Sequence, residues 1–173
     1  MSSSYKEIWD AAYSEEYDGL TSLPTWEVIS EDQYYKLSKG KKALPTMAIA
    51  TIKYDKHNKP KRAKYCLVVL GNQDYHTWLR EDTAALVLSQ LELHLLTSSA
   101  VYNKRVLKNC DVKHAFVQST LPANEVYFLK PPPGCPHSSS NQYWKLIRSL
   151  YGLKCALRIW FDTLCGHLKL LGL

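Results

Sequence analysis

The sequence predicts a mixed α+β fold, and three patterns carry this prediction. A helical periodicity of apolar residues occurs near the start of the chain. Two apolar, β-branched runs joined by a polar turn follow, and another helical pattern lies near the end. The chain has 173 residues, 46% of them hydrophobic, which is the length of one ordinary domain with enough apolar side chains for a packed core.

The first half of the chain is predicted to form a helix, a short strand and a hairpin. Residues 5–20 carry apolar side chains on one helical face, and the stretch 21–24 ends this helix. Residues 25–29 are a predicted strand, and residues 40–45 are a predicted basic loop. Residues 47–54 and 64–70 are predicted strands joined by a turn at 55–60. Basic residues in this hairpin suit it to reach over a nucleic acid.

The second half is predicted to place an aspartate on a strand. Residues 84–101 carry leucines on more than one helical face, which predicts a buried helix: Leu86, Leu88, Leu91, Leu93, Leu95 and Leu96. Residues 106–112 are a predicted strand that carries Asp111, and residues 114–120 are a turn or short helix. Residues 126–129 and 143–147 are further predicted strands separated by a loop rich in Pro and Ser, and residues 153–171 are the last helix.

Composition limits the classes of function. No apolar run is long enough to span a bilayer and the N-terminus lacks the apolar stretch of a secretory signal, so we expect an intracellular, cytoplasmic protein with no membrane partner. The net charge of +6 favours polyanionic partners, although a solvated charged surface gives the same charge. The five cysteines contain no C-x-x-C pair, which argues against a zinc site and a disulfide framework.

Residues in two short segments are candidates for chemistry. Asp111, at a predicted strand end, can hold a hard divalent cation, but the same residue can instead cap a turn. Phe116 follows on the same stretch and fits either the wall of a binding site or a core aromatic residue. Tyr151 and Gly152 precede the last helix, and they fit either a close backbone approach to a ligand or a plain strand-to-helix turn.

Several motifs, in order along the chain, resemble those of the reverse transcriptases of copia-type retrotransposons. Residues 111–116 read DVKHAF where that family has D-V-K-x-A-F. Residues 149–160 read SLYGLKCALRIW where it has S-L-Y-G-L-K-x-A-P-R-x-W. TWE, GKKA, IKYD, EVY and PPG follow the family order as well. The resemblance covers nearly the whole chain. It implies the fingers and the start of the palm of a right-hand polymerase, truncated before the family's Asp-Asp hairpin.

The resemblance also implies an activity and its site residues. The activity would be template-directed DNA synthesis from deoxynucleoside triphosphates by two-metal nucleotidyl transfer, with Mg²⁺ as cofactor and an RNA or DNA template–primer as partner. Asp111 would be catalytic and would bind the metal together with Val112. The nucleotide would contact Lys64, Phe116, Tyr151 and Gly152, and the nucleic acid would contact Lys41, Lys42, Lys61, Arg62 and Lys154. Judged without the resemblance, Lys64 is equally well a solvated strand lysine.

The chain also departs from the family pattern. Cys66 stands where the family has an arginine, and Leu157 stands where it has the proline of A-P-R. Each change can arise from one C-to-T transition, which is the basis for the hypothesis of a decayed copy. No Asp-Asp pair follows Asp111, and Asp162 is the only later aspartate. Since one carboxylate cannot hold two metal ions, the chain alone is expected to be inactive.

The sequence therefore predicts a lead-in helix and linker at residues 1–24 and a partial reverse transcriptase domain at residues 25–173. Two alternatives stay open at this point. One is a basic module that binds nucleic acid without chemistry, and the other is a decayed remnant without function.

Overall fold

The computed structural model describes residues 3–74, 76–84, 87–139 and 141–172. Its helices and strands confirm the mixed α+β class. The strands of its sheet are β1 (Trp26–Ser30), β2 (Leu44–Tyr54), β3 (Pro60–Val69), β4 (Phe128–Lys130) and β5 (Gln142–Leu146). The helices are α1 (Ser3–Thr21), α2 (Glu31–Ser38), α3 (Arg80–Thr83), α4 (Gln90–Tyr102) and α5 (Ala156–Leu170). Short 3₁₀ helices lie at Gly71–Gln73 and Ala115–Gln118.

The strands form one sheet in the order β1-β5-β4-β2-β3. Neighbours are antiparallel except for β2 and β4, which are parallel. Trp144 on β5 and Leu129 on β4 are fully buried at the centre of the sheet, and Trp26 on β1 stacks on Trp144 with ring centroids 4.5 Å apart. The core therefore covers β1, β5, β4 and the inner ends of β2 and β3, while the outer half of the β2–β3 hairpin is exposed.

Helix α1 protects the free edge of β3. The Glu16 carboxylate accepts a hydrogen bond from the backbone N–H of Leu67, with 3.2 Å between nitrogen and oxygen. Tyr13 meets Tyr65 edge-on with ring centroids 5.1 Å apart. The hydrogen bond from Leu67 to Glu16 satisfies a backbone donor, and helix α1 covers the strand edge. Such cover is useful because an unpaired strand edge can pair with another chain and cause aggregation.

Local sequence patterns predicted most of these elements. The first helix, the hairpin strands, the strands now seen as β1, β4 and β5, the short helix after residue 114 and the last helix are confirmed to within a few residues. Helix α2 was missed, although its start is encoded by a capping box. The Ser30 hydroxyl accepts from the Gln33 N–H, and the Gln33 side chain accepts from the Ser30 N–H.

The helix predicted at 84–101 begins later than expected, and it is not buried. Helix α4 starts after a capping box formed by Ser89 and Glu92. Its leucines are exposed, by 47% at Leu93 and 68% at Leu91. The prediction of a buried helix is wrong for the described residues, because no described strand or helix covers these leucines; Leu86 lies outside the described residues. Within the described ranges, no helix is both long enough and apolar enough to cross a membrane.

Candidate functional site

Two distant segments run side by side and form the frame of the candidate site. The Ser149 N–H donates to the Ser119 carbonyl at 2.9 Å. The Arg148 guanidinium donates to the carbonyls of Val117 and Gln118, each at 3.2 Å. These bonds fix the 3₁₀ helix Ala115–Gln118 beside the turn that follows residue 149.

This frame brings Phe116 and Tyr151 into contact. Their ring centroids lie 5.7 Å apart with an angle of 47° between the ring planes. Phe116 is half-buried and packs against the main core, whereas Tyr151 is 56% exposed. One ring is therefore anchored and the other is open to a ligand, and we call this the Phe116–Tyr151 pair.

Gly152 fits the turn tightly against β3. Its backbone angle φ is +98°, which favours glycine, and a Cβ there would collide with the backbone of Val69. The Val69 N–H donates to the Tyr151 carbonyl at 2.9 Å. The close backbone approach expected of Gly152 is thus seen in this structure as an approach to β3.

Lys64 and Cys66 lie on β3, half-buried, opposite Thr51 and Ile49. Side chains alternate along a strand, so both share a face with Val68, whose Cγ1 lies 2.9 Å from the ideal Cβ position of Gly152. Lys64 is then about 13 Å along the strand from that point. The structure places the predicted lysine on the same side of the sheet as the Tyr151–Gly152 turn.

His114 anchors the other end of the frame. Its backbone lies in the left-handed region with φ of 47°, and its ring occupies the space that a side chain at Gly19 would need. The contact ties the start of the 3₁₀ helix to α1. Sequence analysis predicted only that Gly19 helps to end the first helix, which instead continues to Thr21. The contact with His114 was missed, because the pair is 95 positions apart and only the fold brings them together.

Asp111 lies outside this frame. Residues 105–112 have no regular secondary structure and are exposed, so the predicted strand at 106–112 is wrong for this structure. A strand needs a neighbour for its backbone groups, and no described strand pairs with this segment. Val112 is 41% exposed. Among the described residues, no three His, Cys, Asp or Glu side chains converge to hold a metal ion. The assignment of Asp111 and Val112 to a Mg²⁺ site therefore stays a prediction.

The residues predicted to contact nucleic acid do not form one patch in the structure. Lys41 and Lys42 lie in the loop before β2, whereas Lys61 and Arg62 lie on the outer part of β3. Arg62 pairs with Lys53, which lies nine residues beyond the first residue of β2. At about 3.3 Å per residue, the two groups are therefore about 30 Å apart along the hairpin. Lys154 donates to the main-chain carbonyl of Asp74 at 3.2 Å and so helps to hold a loop.

Sequence analysis also missed Asp74, which organises the segment at residues 76–78. Its side chain is 6% exposed and accepts hydrogen bonds from both the backbone and the ring of His76, each at 3.1 Å. It also accepts from the Trp78 indole N–H at 3.0 Å. An aspartate directly after a turn, with donors two and four residues later, is a local signal that could have identified this loop.

Comparison with known proteins assigns the family. Residues 25–173 match the family described as Reverse transcriptase (RNA-dependent DNA polymerase). The chain belongs to this reverse transcriptase family. The resemblance drawn from the ordered motifs is thereby confirmed.

Relatives of this reverse transcriptase chain are encoded by transposons. It is 27% identical over 166 residues to the Retrovirus-related Pol polyprotein from transposon RE1 of Arabidopsis thaliana, which covers 96% of the chain and 11% of that relative. It is 28% identical over 158 residues to the Retrovirus-related Pol polyprotein from transposon TNT 1-94 of Nicotiana tabacum, covering 91% and 11%. It is 27% identical over 168 residues to the Transposon Ty1-DR4 Gag-Pol polyprotein of Saccharomyces cerevisiae, covering 94% and 10%. The chain thus spans about a tenth of these relatives, and no solved structure matches it.

Proposed function

We propose that the chain supplies the fingers and the start of the palm of a retrotransposon RNA-directed DNA polymerase, where it contacts the incoming nucleotide and the template–primer. Two findings support this proposal: the family match over residues 25–173, and the approach of the Phe116 and Tyr151 rings to 5.7 Å. The ring contact carries the assignment of the nucleotide site, because the two motifs that define the family resemblance meet there.

The Phe116–Tyr151 pair offers a wall and a stacking surface. Phe116 is held by the core, so it cannot yield to an extra ligand atom without disturbing close-packed neighbours. That property would let it contact the sugar and discriminate against a 2′-hydroxyl. The exposed Tyr151 ring can stack on a base, and Lys64, farther along the same face, can approach the phosphates.

The reaction of this family is generally metal-dependent, and Asp111 is our candidate for the carboxylate. With Asp111 exposed and no converging set of ligands among the described residues, we derive no catalytic step from this arrangement. The chain alone is expected not to extend a primer, since a two-metal site needs more than one carboxylate.

Nucleotide binding tests the proposal. The full chain titrated with a deoxynucleoside triphosphate should bind it, and Tyr151→Ala should weaken the affinity about tenfold through lost stacking. Phe116→Ala should weaken discrimination between deoxyribose and ribose nucleotides. Tyr35→Ala, which removes a 64% exposed tyrosine on α2, is the matched control and should leave the affinity unchanged.

Unchanged nucleotide affinity in Tyr151→Ala, together with unchanged sugar preference in Phe116→Ala, would contradict the assigned site. A chain that binds a template–primer but no nucleotide would favour the second candidate function, a basic module that binds nucleic acid without chemistry. The exposed basic hairpin is the observation that favours this alternative.

A further inference from the structure

Three polar side chains form a cluster that joins the sheet to the start of α5. The Tyr127 hydroxyl donates to the Glu125 carboxylate, with 2.9 Å between the two oxygens. The Cys155 thiol donates to the same carboxylate oxygen, Oε2, from 3.6 Å, and its sulfur lies 3.5 Å from the Tyr127 hydroxyl. Tyr127 and Cys155 are buried and Glu125 is half-buried. We call these three residues the Glu125 cluster.

The two neighbours of Glu125 keep their protons at neutral pH. Burial raises the pKa of the Tyr127 hydroxyl, and the adjacent Cys155 and Glu125 side chains act in the same direction. Burial also raises the pKa of the Cys155 thiol, to about 11. Two donors therefore converge on one carboxylate oxygen, which provides hydrogen-bond partners for all three side chains.

One end of the Glu125 cluster is fixed to the centre of the sheet. The Tyr127 carbonyl accepts from the N–H of Leu146 on β5 at 2.9 Å. Strand β4 begins at the next residue, Phe128, which is buried. Tyr127 thus cannot move without disturbing close-packed neighbours, and the cluster has a rigid base.

The other end of the cluster holds the segment 149–155, which carries Tyr151. Ser149 binds the Ser119 carbonyl at one end of this segment, and the Tyr151 carbonyl accepts from Val69 in the middle. Cys155 lies at the opposite end, directly before α5. Since the Tyr151 side chain is 56% exposed, these backbone anchors control the direction in which its ring points.

The cluster also joins two motifs that are far apart in the sequence. Glu125 and Tyr127 belong to EVY, and Cys155 occupies the position x of S-L-Y-G-L-K-x-A. The site at the Phe116–Tyr151 pair gives EVY no role of its own. Its contact with Cys155 supplies one.

We propose that Glu125 and Cys155 are positioning residues for the nucleotide site at the Phe116–Tyr151 pair. Their hydrogen bond fixes the end of the segment 149–155 and so holds the Tyr151 ring beside Phe116, ready to stack on a base. They act through the Tyr151 backbone and do not contact the nucleotide. The proposal rests on the proposed function of this pair, so its test includes a measurement without nucleotide.

The first measurement is the affinity of the full chain for a deoxynucleoside triphosphate, obtained by calorimetry. Cys155→Ala removes the donor to Glu125 and should weaken the affinity about fivefold, whereas Cys155→Ser keeps a donor and should restore it to within about twofold. Glu125→Ala should match Cys155→Ala. Should Glu125→Ala fail to fold, Glu125→Gln keeps the shape, weakens both hydrogen bonds and should give a smaller loss in the same direction.

A double-mutant cycle separates positioning from a general structural effect. In a chain that already carries Tyr151→Ala, Cys155→Ala should cause no further loss of affinity, because Cys155 acts through Tyr151. Equal losses in the two backgrounds would overturn the proposal.

The second measurement needs no nucleotide. The nuclear Overhauser effect between the ring protons of Phe116 and Tyr151 should weaken in Cys155→Ala and persist in Cys155→Ser. Cys165→Ala removes another half-buried thiol, within α5, and should change neither the affinity nor this signal.

The two measurements distinguish the two possible failures. A parent chain that binds no nucleotide would contradict the proposed function, and the ring signal would still decide the positioning. An unchanged ring signal in both Cys155→Ala and Glu125→Ala would overturn the positioning, as would an equal loss of signal in Cys165→Ala.

Discussion

At the scale of single residues, Gly152 shows how one backbone position can fix the candidate site. Its φ of +98° and its contact with the backbone of Val69 leave no room for a side chain. Gly152→Ala should therefore destabilise the chain by roughly 1–3 kcal/mol, as measured by urea unfolding, because the strained backbone and the collision add together.

Gly166 provides a matched control for this prediction. It lies within α5, and nothing stands within 4 Å of the position of an added Cβ. Gly166→Ala should raise the stability by up to about 1 kcal/mol, since alanine is the better helix former. Equal effects of the two substitutions would show that Gly152 is not packed as described.

Cys155 makes stability sensitive to alkaline pH. Burial raises the pKa of this thiol from 9.0 to about 11, and the neighbouring Glu125 carboxylate acts in the same direction. The folded state therefore favours the neutral thiol, and the unfolded chain loses the proton first. This contribution to the free energy of unfolding is complete below pH 9.0 and is lost as the pH rises towards about 11. It amounts to roughly 2–3 kcal/mol.

Unfolding measured from pH 8 to pH 11 checks this dependence. Cys155→Ala should show a shallower loss of stability than the parent chain over this window. Cys110→Ala, which removes an exposed thiol, should follow the parent chain. If the parent and Cys155→Ala curves ran parallel, the thiol would not be the group responsible.

At the scale of secondary-structure elements, the exposed face of α4 is the least expected feature. Leu91 and Leu95 lie one helical turn apart and are 68% and 63% exposed. Exposed apolar patches favour association between molecules. Replacing both leucines with lysine should change the free energy of unfolding by less than about 0.5 kcal/mol, but it should reduce self-association in sedimentation experiments.

A buried leucine gives the contrast. Leu129 is 0% exposed at the centre of the sheet, and Leu129→Ala should cost about 2–5 kcal/mol. A large loss of stability in the Leu91→Lys, Leu95→Lys variant would show instead that α4 packs against other parts of the chain.

An element could be predicted from the sequence where its contacts join residues that are close together in the chain, and not where they join distant residues. The β2–β3 hairpin was predictable because its strands are adjacent in sequence and its turn residues are local. The strand predicted at 106–112 was wrong, since strand formation depends on a distant partner that apolar composition does not reveal. Phe116 and Tyr151 were named from the family motifs. Their contact was not predictable, because it depends on the pairing of Ser119 with Ser149 across the fold.

At the scale of the whole molecule, exposed basic residues lie at both ends of the β2–β3 hairpin, about 30 Å apart. The loop before β2 carries Lys41 and Lys42, while the hairpin end carries further exposed basic residues, among them Lys59 and Lys61.

We propose that this chain holds the nucleic-acid substrate of a reverse transcriptase, and template–primer binding across a series of salt concentrations tests this proposal most directly. We predict an affinity, measured by fluorescence anisotropy, that falls steeply with salt, and a log–log slope that Lys59→Glu with Lys61→Glu reduces by about two units. Lys36→Glu with Lys169→Glu makes the same change in net charge on α2 and α5 and should leave the slope nearly unchanged. Binding that ignores salt, or that responds equally to both double variants, would contradict the account.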